Sequence, residues 1–383
     1  MKRRIKIFGC ILVLTVFSAF AQKQDMGGKG VRTRSFDVKK GGRVEITIRL
    51  GDIVINPWEK NEVAVSVEGI HDEHLDLLKM SQSADTIHVD FHPLGNMTGG
   101  RGRFSLHVPE DFDINLKTLS GDLTLTGAIK GDVTGQTSNG AIRVDHISGA
   151  VEMSTASGAI KIGTIQGNGR FSTSRGDIEV RTGEGDLELK TSSGNVQVGE
   201  VRKRLIAHTS AGSLDIGSVG GGANISTGGG DILVKNVFGD SRLRTSGGDI
   251  DLGRASGTIE ATTLGGDMRL GEVTGSVRAK TAEGNITAGV IPVGMGESSL
   301  KAANGVIVLA VPADARISID ALIRMEGRSA PRRRKYEVRS DFSVHQFKKD
   351  GDDELTETFM LNGGGARISL ETINSNIEIR KMK

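Results

Sequence analysis

The sequence predicts an all-β fold, a single-stranded parallel β-solenoid (a β-helix) built from 18-residue coils. Three observations predict it. The first is a phrase with a fixed period. In Thr137-Ser-Asn-Gly140-Ala-Ile142-Arg-Val144 a Thr, a Gly and two aliphatics stand at offsets 0, 3, 5 and 7, and the Thr recurs at 155, 173, 191, 209, 227, 245, 263 and 281. Self-similarity at a fixed period marks stacked repeat architectures. The second is glycine. One follows each Thr by three residues, from Gly140 to Gly284, and another stands at offset 12 from Gly149 to Gly275, with Lys203 the exception. The third is proline, which is absent between Pro109 and Pro292. Proline cannot donate to a β ladder, so this long interval fits one continuous stack of strands.

Residues 1–21 read as an export signal. Lys2, Arg3, Arg4 and Lys6 precede an apolar run from Ile7 to Phe20, and Ala19-Phe20-Ala21 is a small-residue cleavage site. Removing those four cations changes the formal charge from +2 to 2 − 4 = −2. That balance gives no bulk attraction to nucleic acid or to an anionic membrane. Cys10 is the only cysteine and leaves with the signal, so the mature chain has no disulfide and rests on its core and ladder. No later segment is long and apolar enough to span a membrane.

Residues 22–117 form an irregular β section at the N-terminus. Val44-Glu-Ile46-Thr-Ile48, Gly51-Asp-Ile53-Val-Ile55, Val63-Ala-Val65-Ser-Val67 and Ile87-His-Val89-Asp-Phe91 alternate as strands do, and the section is expected to cap the first rung. Residues 118–312 are the regular solenoid. Aliphatics recur at offsets 5, 7, 10, 14 and 16, for example Ile142, Val144, Ile147, Val151 and Met153. The inward set is therefore 5 and 7 on one strand, and 14, 16 and the next Thr on another. A left-handed hexapeptide helix would space its aliphatics every six residues, so right-handed winding is expected. Glycines mark the bends, where positive φ or close backbone approach is needed.

Residues 313–383 are a C-terminal β section. Val311-Pro-Ala-Asp314-Ala-Arg-Ile317 repeats the lead-in Val108-Pro-Glu-Asp111-Phe-Asp-Ile114. A basic insertion spans 324–339 and contains Arg332-Arg-Arg-Lys335; an acidic run balances it, which favours a solvated loop. Ile368-Ser-Leu370-Glu-Thr372 with Ile377-Glu-Ile379 is a last ladder phrase, expected to cap the stack.

The phrase Thr245-Ser-Gly-Gly248-Asp-Ile250-Asp-Leu252, the Val-Pro lead-in and the closing Leu361-Asn-Gly-Gly-Gly365 resemble the bacterial "putative-adhesin" family of β-strand repeats, a domain of unknown function in exported and envelope proteins. The resemblance runs from about residue 35 to 380. It implies architecture and transfers no catalytic residue.

Three constellations could carry chemistry. Offset 15 reads Glu152, Arg170, Glu188, Ile206, Asn224, Arg242, Glu260, Arg278, and alternating charge on neighbouring rungs is expected to stabilise the surface itself. His88, Asp90 and His92, with His71 and His74 nearby, are residue types that bind zinc, although exposed strand and turn positions explain them equally well. Asp231, Asp249 and Asp267 share one offset on three successive rungs and Asp251 projects beside them, making this the candidate metal site. Stacking brings like charges together, so either each Asp accepts its own bend's backbone N–H or the group shares a cation such as calcium. Finally, no Ser/His/Asp set or nucleotide loop appears.

The expected function is therefore non-enzymatic, with no catalytic residue, no cofactor beyond that possible calcium and no nucleic-acid partner: an adhesin-like binding or scaffold protein of the periplasm, cell surface or exterior, meeting an envelope, glycan or protein surface. Two alternatives stay open. A carbohydrate-active β-helix enzyme would show a groove lined by acids from adjacent rungs with a nearby Lys or Arg. A structural accessory of envelope stress or assembly would show neither activity nor adhesion.

Overall fold

The computed structural model describes residues 30–93, 102–326, 336–342, 347–351 and 353–382. The export signal and the Arg332 run lie outside them. The described residues are almost wholly β; a short 3-10 turn, Asp72–Leu77, interrupts the strands where the His71–His74 phrase falls.

Two columns of parallel strands run the length of the stack. The first contains Asp113–Ser120, Val133–Asn139, Val151–Thr155, Gly169–Thr173, Leu187–Lys190, Leu205–His208, Ala223–Ser226 and Ser241–Arg244. The second contains Leu123–Ile129, Ile142–Ile147, Ile160–Ile165, Ile178–Gly183, Val196–Val201, Leu214–Val219 and Ile232–Phe238. Two longer strands, Ile250–Thr262 and Met268–Thr281, pass through both. Registers are strict. Val133 faces Val151, Ile142 faces Ile160, and Ile250 faces Met268. Across the insertion before Glu297 the step lengthens, and Ile286 faces Ile307.

The alternating aliphatics turn inward as their period requires: Ile142, Val144, Ile147, Val151 and Met153 are all buried. Large and small residues complement one another along a column. A Cβ at Gly135 would lie 2.2 Å from the Met153 sulfur, and one at Gly169 would lie 2.9 Å from the Leu187 side chain of the next rung. A narrow core is filled to crystal-like density only by such pairing.

The repeated Thr is a backbone staple. Thr209, fully buried, donates its hydroxyl to the Gly194 carbonyl of the preceding rung at 2.9 Å and accepts the Gly212 N–H of its own bend at 3.2 Å. Thr155, Thr191, Thr227, Thr245 and Thr263 repeat both contacts. A buried polar column is tolerable because each hydroxyl answers two backbone groups that water cannot reach.

At offset 3 the structure selects close backbone approach over positive φ. Those glycines do not have positive φ; they are required by proximity, since a Cβ on Gly212 would sit 2.0 Å from the Gly194 oxygen. Positive φ occurs instead at offset 12, in Gly239 (106°) and Gly257 (98°).

The ends differ from a simple stack. Arg43–Leu50 pairs with both Thr86–Phe91 and Asp113–Ser120, so the coil containing residues 43–58 is held between two later coils. The antiparallel strands Gly30–Asp37, Glu62–Ile70 and Leu78–Ser83 finish that end. At the other end the closing phrase does not cap. Ala366–Ile373 lies between Glu297–Ala302 and Ile317–Arg324, while Glu354–Leu361, antiparallel to Ile317–Arg324, covers the edge. The phrase has two equivalent faces and is therefore suited to an interior rung rather than a terminal one.

Candidate functional groove

Outward side chains of the first column stand at offsets 15 and 17, because strand residues alternate faces. Along this face three hollows follow one another and share lining residues. The first, about 480 Å³, is lined by Glu152, Arg170, Glu188 and Arg204 among others; the second, about 450 Å³, by Arg204, Asn224, Arg242 and Glu260; the third, about 230 Å³, by Glu260, Arg278, Lys280 and Lys301. Strands stack roughly 4.8 Å apart, so the groove from Asp132 to Lys301 is about 45 Å long.

The offset-15 ladder neutralises itself only in part. Arg170 Nε meets Glu188 Oε2 at 3.0 Å, and Arg242 Nη2 meets Glu260 Oε2 at 2.6 Å. Lys190, one alternation along, also grips Glu188. That hydrogen bond is the largest effect and, with the Lys190 and Arg170 charges, holds the Glu188 carboxyl below its ordinary value against the opposing effect of burial. Glu371 is lowered in the same way, chiefly by its hydrogen bond from Lys301 at 2.9 Å and then by the Lys301 and Arg324 charges. A depressed folded-state value contributes stability above the unfolded value, near 4.5, and loses it as pH falls through the folded one. Glu371→Gln should therefore flatten the acid limb of a melting-temperature profile below about pH 4.5 and leave the neutral region with only a small loss.

The Asp column has a definite role. Asp249 N–H donates to Asp231 Oδ1 at 2.9 Å, Asp267 N–H to Asp249 Oδ1 at 2.8 Å, and Asn285 N–H to Asp267 Oδ1 at 2.8 Å. Each side chain thus caps the backbone of the next rung, not of its own bend as the sequence suggested. Asn195 and Ser213 serve the same offset in the same way. Asp251 lies apart from this chain of caps, opposite Leu233 and Arg269 in register. Among the described residues no group of three or more His, Cys, Asp or Glu is arranged around a possible ion. Asp249→Asn keeps the accepting oxygen and should leave melting almost unchanged, whereas Asp249→Ala should cost about 1 kcal/mol. Calcium titration of both the native protein and the Asn variant measures whether the carboxylates also take a cation. The histidines scatter: His88 Nδ1 lies 3.3 Å from Glu45, His92 4.0 Å from Asp90, and His74 3.5 Å from Glu73.

Sequence reasoning found offset 15 but passed over offset 17, which supplies Lys190, Arg244 and Lys280 to the same face. Period-two alternation was the signal that could have found them.

A family model described as Toastrack DUF4097 matches this chain twice, over residues 29–217 and 184–356. The chain belongs to the Toastrack DUF4097 family. Solved structures similar to this Toastrack chain include a putative adhesin from Bacteroides fragilis, 13% identical, covering 65% of this chain and 97% of that one with a TM-score of 0.31. A putative adhesin from Parabacteroides distasonis is 10% identical, covering 73% and 93%, with a TM-score of 0.29. A structure from the same species described as a putative lipid binding protein is 12% identical, covering 93% and 98%, with a TM-score of 0.21. No curated protein matches the Toastrack chain. No helix among its described residues is long and apolar enough to cross a membrane.

Proposed function

We propose that this Toastrack protein is an exported, non-enzymatic binding and scaffold protein of the bacterial envelope, which holds an extended polymer in the groove of its first strand column. The observation that carries the reading is the run of three adjoining hollows over about ten stacked strands, which share lining residues and set charged and polar side chains among apolar ones such as Leu187 and Ile206. A backbone-laddered column is a rigid support, and it presents its groups at a constant spacing along one direction. Export is supported by the charged start and apolar run of residues 1–21. Right-handed winding of the coil is part of the same reading, from the handedness of parallel crossovers.

At Glu188 the chemistry favours holding over cleavage. A glycosidic general acid needs a raised carboxyl value, and Glu188 is moved the other way by Lys190 and Arg170. One observation favours the enzyme alternative: the first hollow has the lining expected of it, acids from neighbouring rungs (Asp132, Glu152, Asp186 and Glu188) with Arg170 and Arg204 nearby, and Glu152 makes no ion pair among the described residues. The test is to incubate the mature protein with linear bacterial and plant polysaccharides, measuring retention on immobilised polymer and release of reducing ends. Retention without release is expected. Release that Glu152→Gln abolishes would establish the enzyme.

A further inference from the structure

The groove changes character along its length. Its first hollow is lined by four carboxylates, Asp132, Glu152, Asp186 and Glu188, against two guanidiniums, Arg170 and Arg204. Its third is lined by one carboxylate, Glu260, against three cations, Arg278, Lys280 and Lys301. The excess is real at the level of contacts. Glu260 stands in register between Arg242 and Arg278, yet it is engaged by Arg242, which leaves Arg278 with no ion pair among the described residues. Lys280 stands directly opposite Lys301, and Lys301 is the one that Glu371 neutralises. Like charges opposed across a ladder are unfavourable without a counter-charge. Arg244 lies on the same face two strands earlier, also without an ion pair.

We propose that this C-terminal half of the groove binds a linear polyanionic glycan, a chain of sugars bearing carboxylate or sulfate groups. The proposal rests on the polymer-holding reading above and names its ligand class. Arg244 and Lys280 stand in one register line with Thr262 between them, about 10 Å apart along the stack, and Arg278 lies beside Lys280 on the same strand, so the three free cations form a short two-rung cluster. An extended acidic glycan repeats its charge along a line on a similar scale, whereas the hydroxyls and amide of Asn224, Thr258, Thr262 and Ser299 meet its neutral sugars. The second and third hollows have no aromatic lining residue on which a nucleic-acid base could stack. Nor do apolar side chains alternate with these cations to enter a bilayer interface.

The experiment uses polygalacturonate and its fully methyl-esterified form as probes for the mature protein, with polydeoxythymidylate and phosphatidylglycerol vesicles as competing classes. The expected result is binding of polygalacturonate that weakens with added salt, little binding of the ester, and a loss of at least about tenfold in the Arg278→Gln/Lys280→Gln variant. Lys235→Gln, which removes an exposed cation from the second column, should bind as the native protein does. Both sites are solvent-facing, and equal melting temperatures will show that the variants fold. Equal binding of acid and ester would overturn the charge-based inference and keep the groove reading. Binding of neither polymer would overturn both. A polyanion affinity that the double variant retains, or a preference for polydeoxythymidylate or vesicles, would likewise overturn this inference.

Discussion

Gly230→Ala should destabilise the protein by about 3 kcal/mol, whereas Gly229→Ala, one residue earlier, should be neutral or slightly stabilising. The two glycines are adjacent in one bend and differ in what lies beside them. A Cβ on Gly230 would approach the Gly212 oxygen to 2.2 Å and its carbon to 2.5 Å, and both atoms are backbone held in the ladder. No side-chain rotation can relieve that contact, so the rungs themselves must separate. A Cβ on Gly229 would meet nothing within 4 Å, and its φ is not in the left-handed region. There the added methyl mainly restricts the unfolded chain. Gly230→Val and Gly212→Val should be worse than the Ala variants, and Glu260→Gln on the outer face should cost about 0.5 kcal/mol or less. Thermal and denaturant melts of these five proteins check the whole series. Equal stability for Gly229→Ala and Gly230→Ala would refute the close-approach account.

Thr209→Val should give the second large effect, a loss of about 2–4 kcal/mol with the branched side-chain shape nearly kept. Valine fills the same space but can neither donate to the Gly194 oxygen nor accept from the Gly212 N–H. Both backbone groups are then stranded inside the bend, where Thr209 is 0% exposed. Thr209→Ser keeps both bonds and loses a methyl, so its cost should be about 1 kcal/mol. A Val variant as stable as the Ser variant would mean that packing, and not the staple, selects threonine at this offset.

The pattern that made the regular coils legible is the one that hid their ends. Ile142, Val144, Ile147, Val151 and Met153 were readable as inward because each element is set by a local period, and burial follows that period. The rung closed by Ile368, Leu370, Ile377 and Ile379 reads the same way, so its place in the stack could not be inferred from its own residues. That place is decided by pairing with strands some 70 positions away, such as Leu300 with Leu370. Charge partners were hidden for a similar reason. Offset 15 put Glu260 equally near Arg242 and Arg278, and the choice of Arg242 depends on side-chain geometry that spacing leaves symmetrical. The Asp caps were misdirected by locality. Asp beside Gly commonly serves its own turn, but parallel stacking brings the next rung's N–H within 2.8–2.9 Å of Asp231 and Asp249.

A chain whose terminal rungs are interleaved acquires a kinetic latch. An ordinary solenoid nucleates anywhere and zips rung by rung, and it can fray the same way from either end. Here the Thr372 hydroxyl reaches the Gly305 carbonyl across 67 residues, whereas Thr191 reaches Gly176 across 15. Closing the longer loop costs roughly 1 kcal/mol more chain entropy, so the last rung should be a late event in folding. Once seated, Ala366–Ile373 can leave only by breaking ladders on both of its edges. Slow final assembly and slower release from the ends follow from the same crossing of the chain.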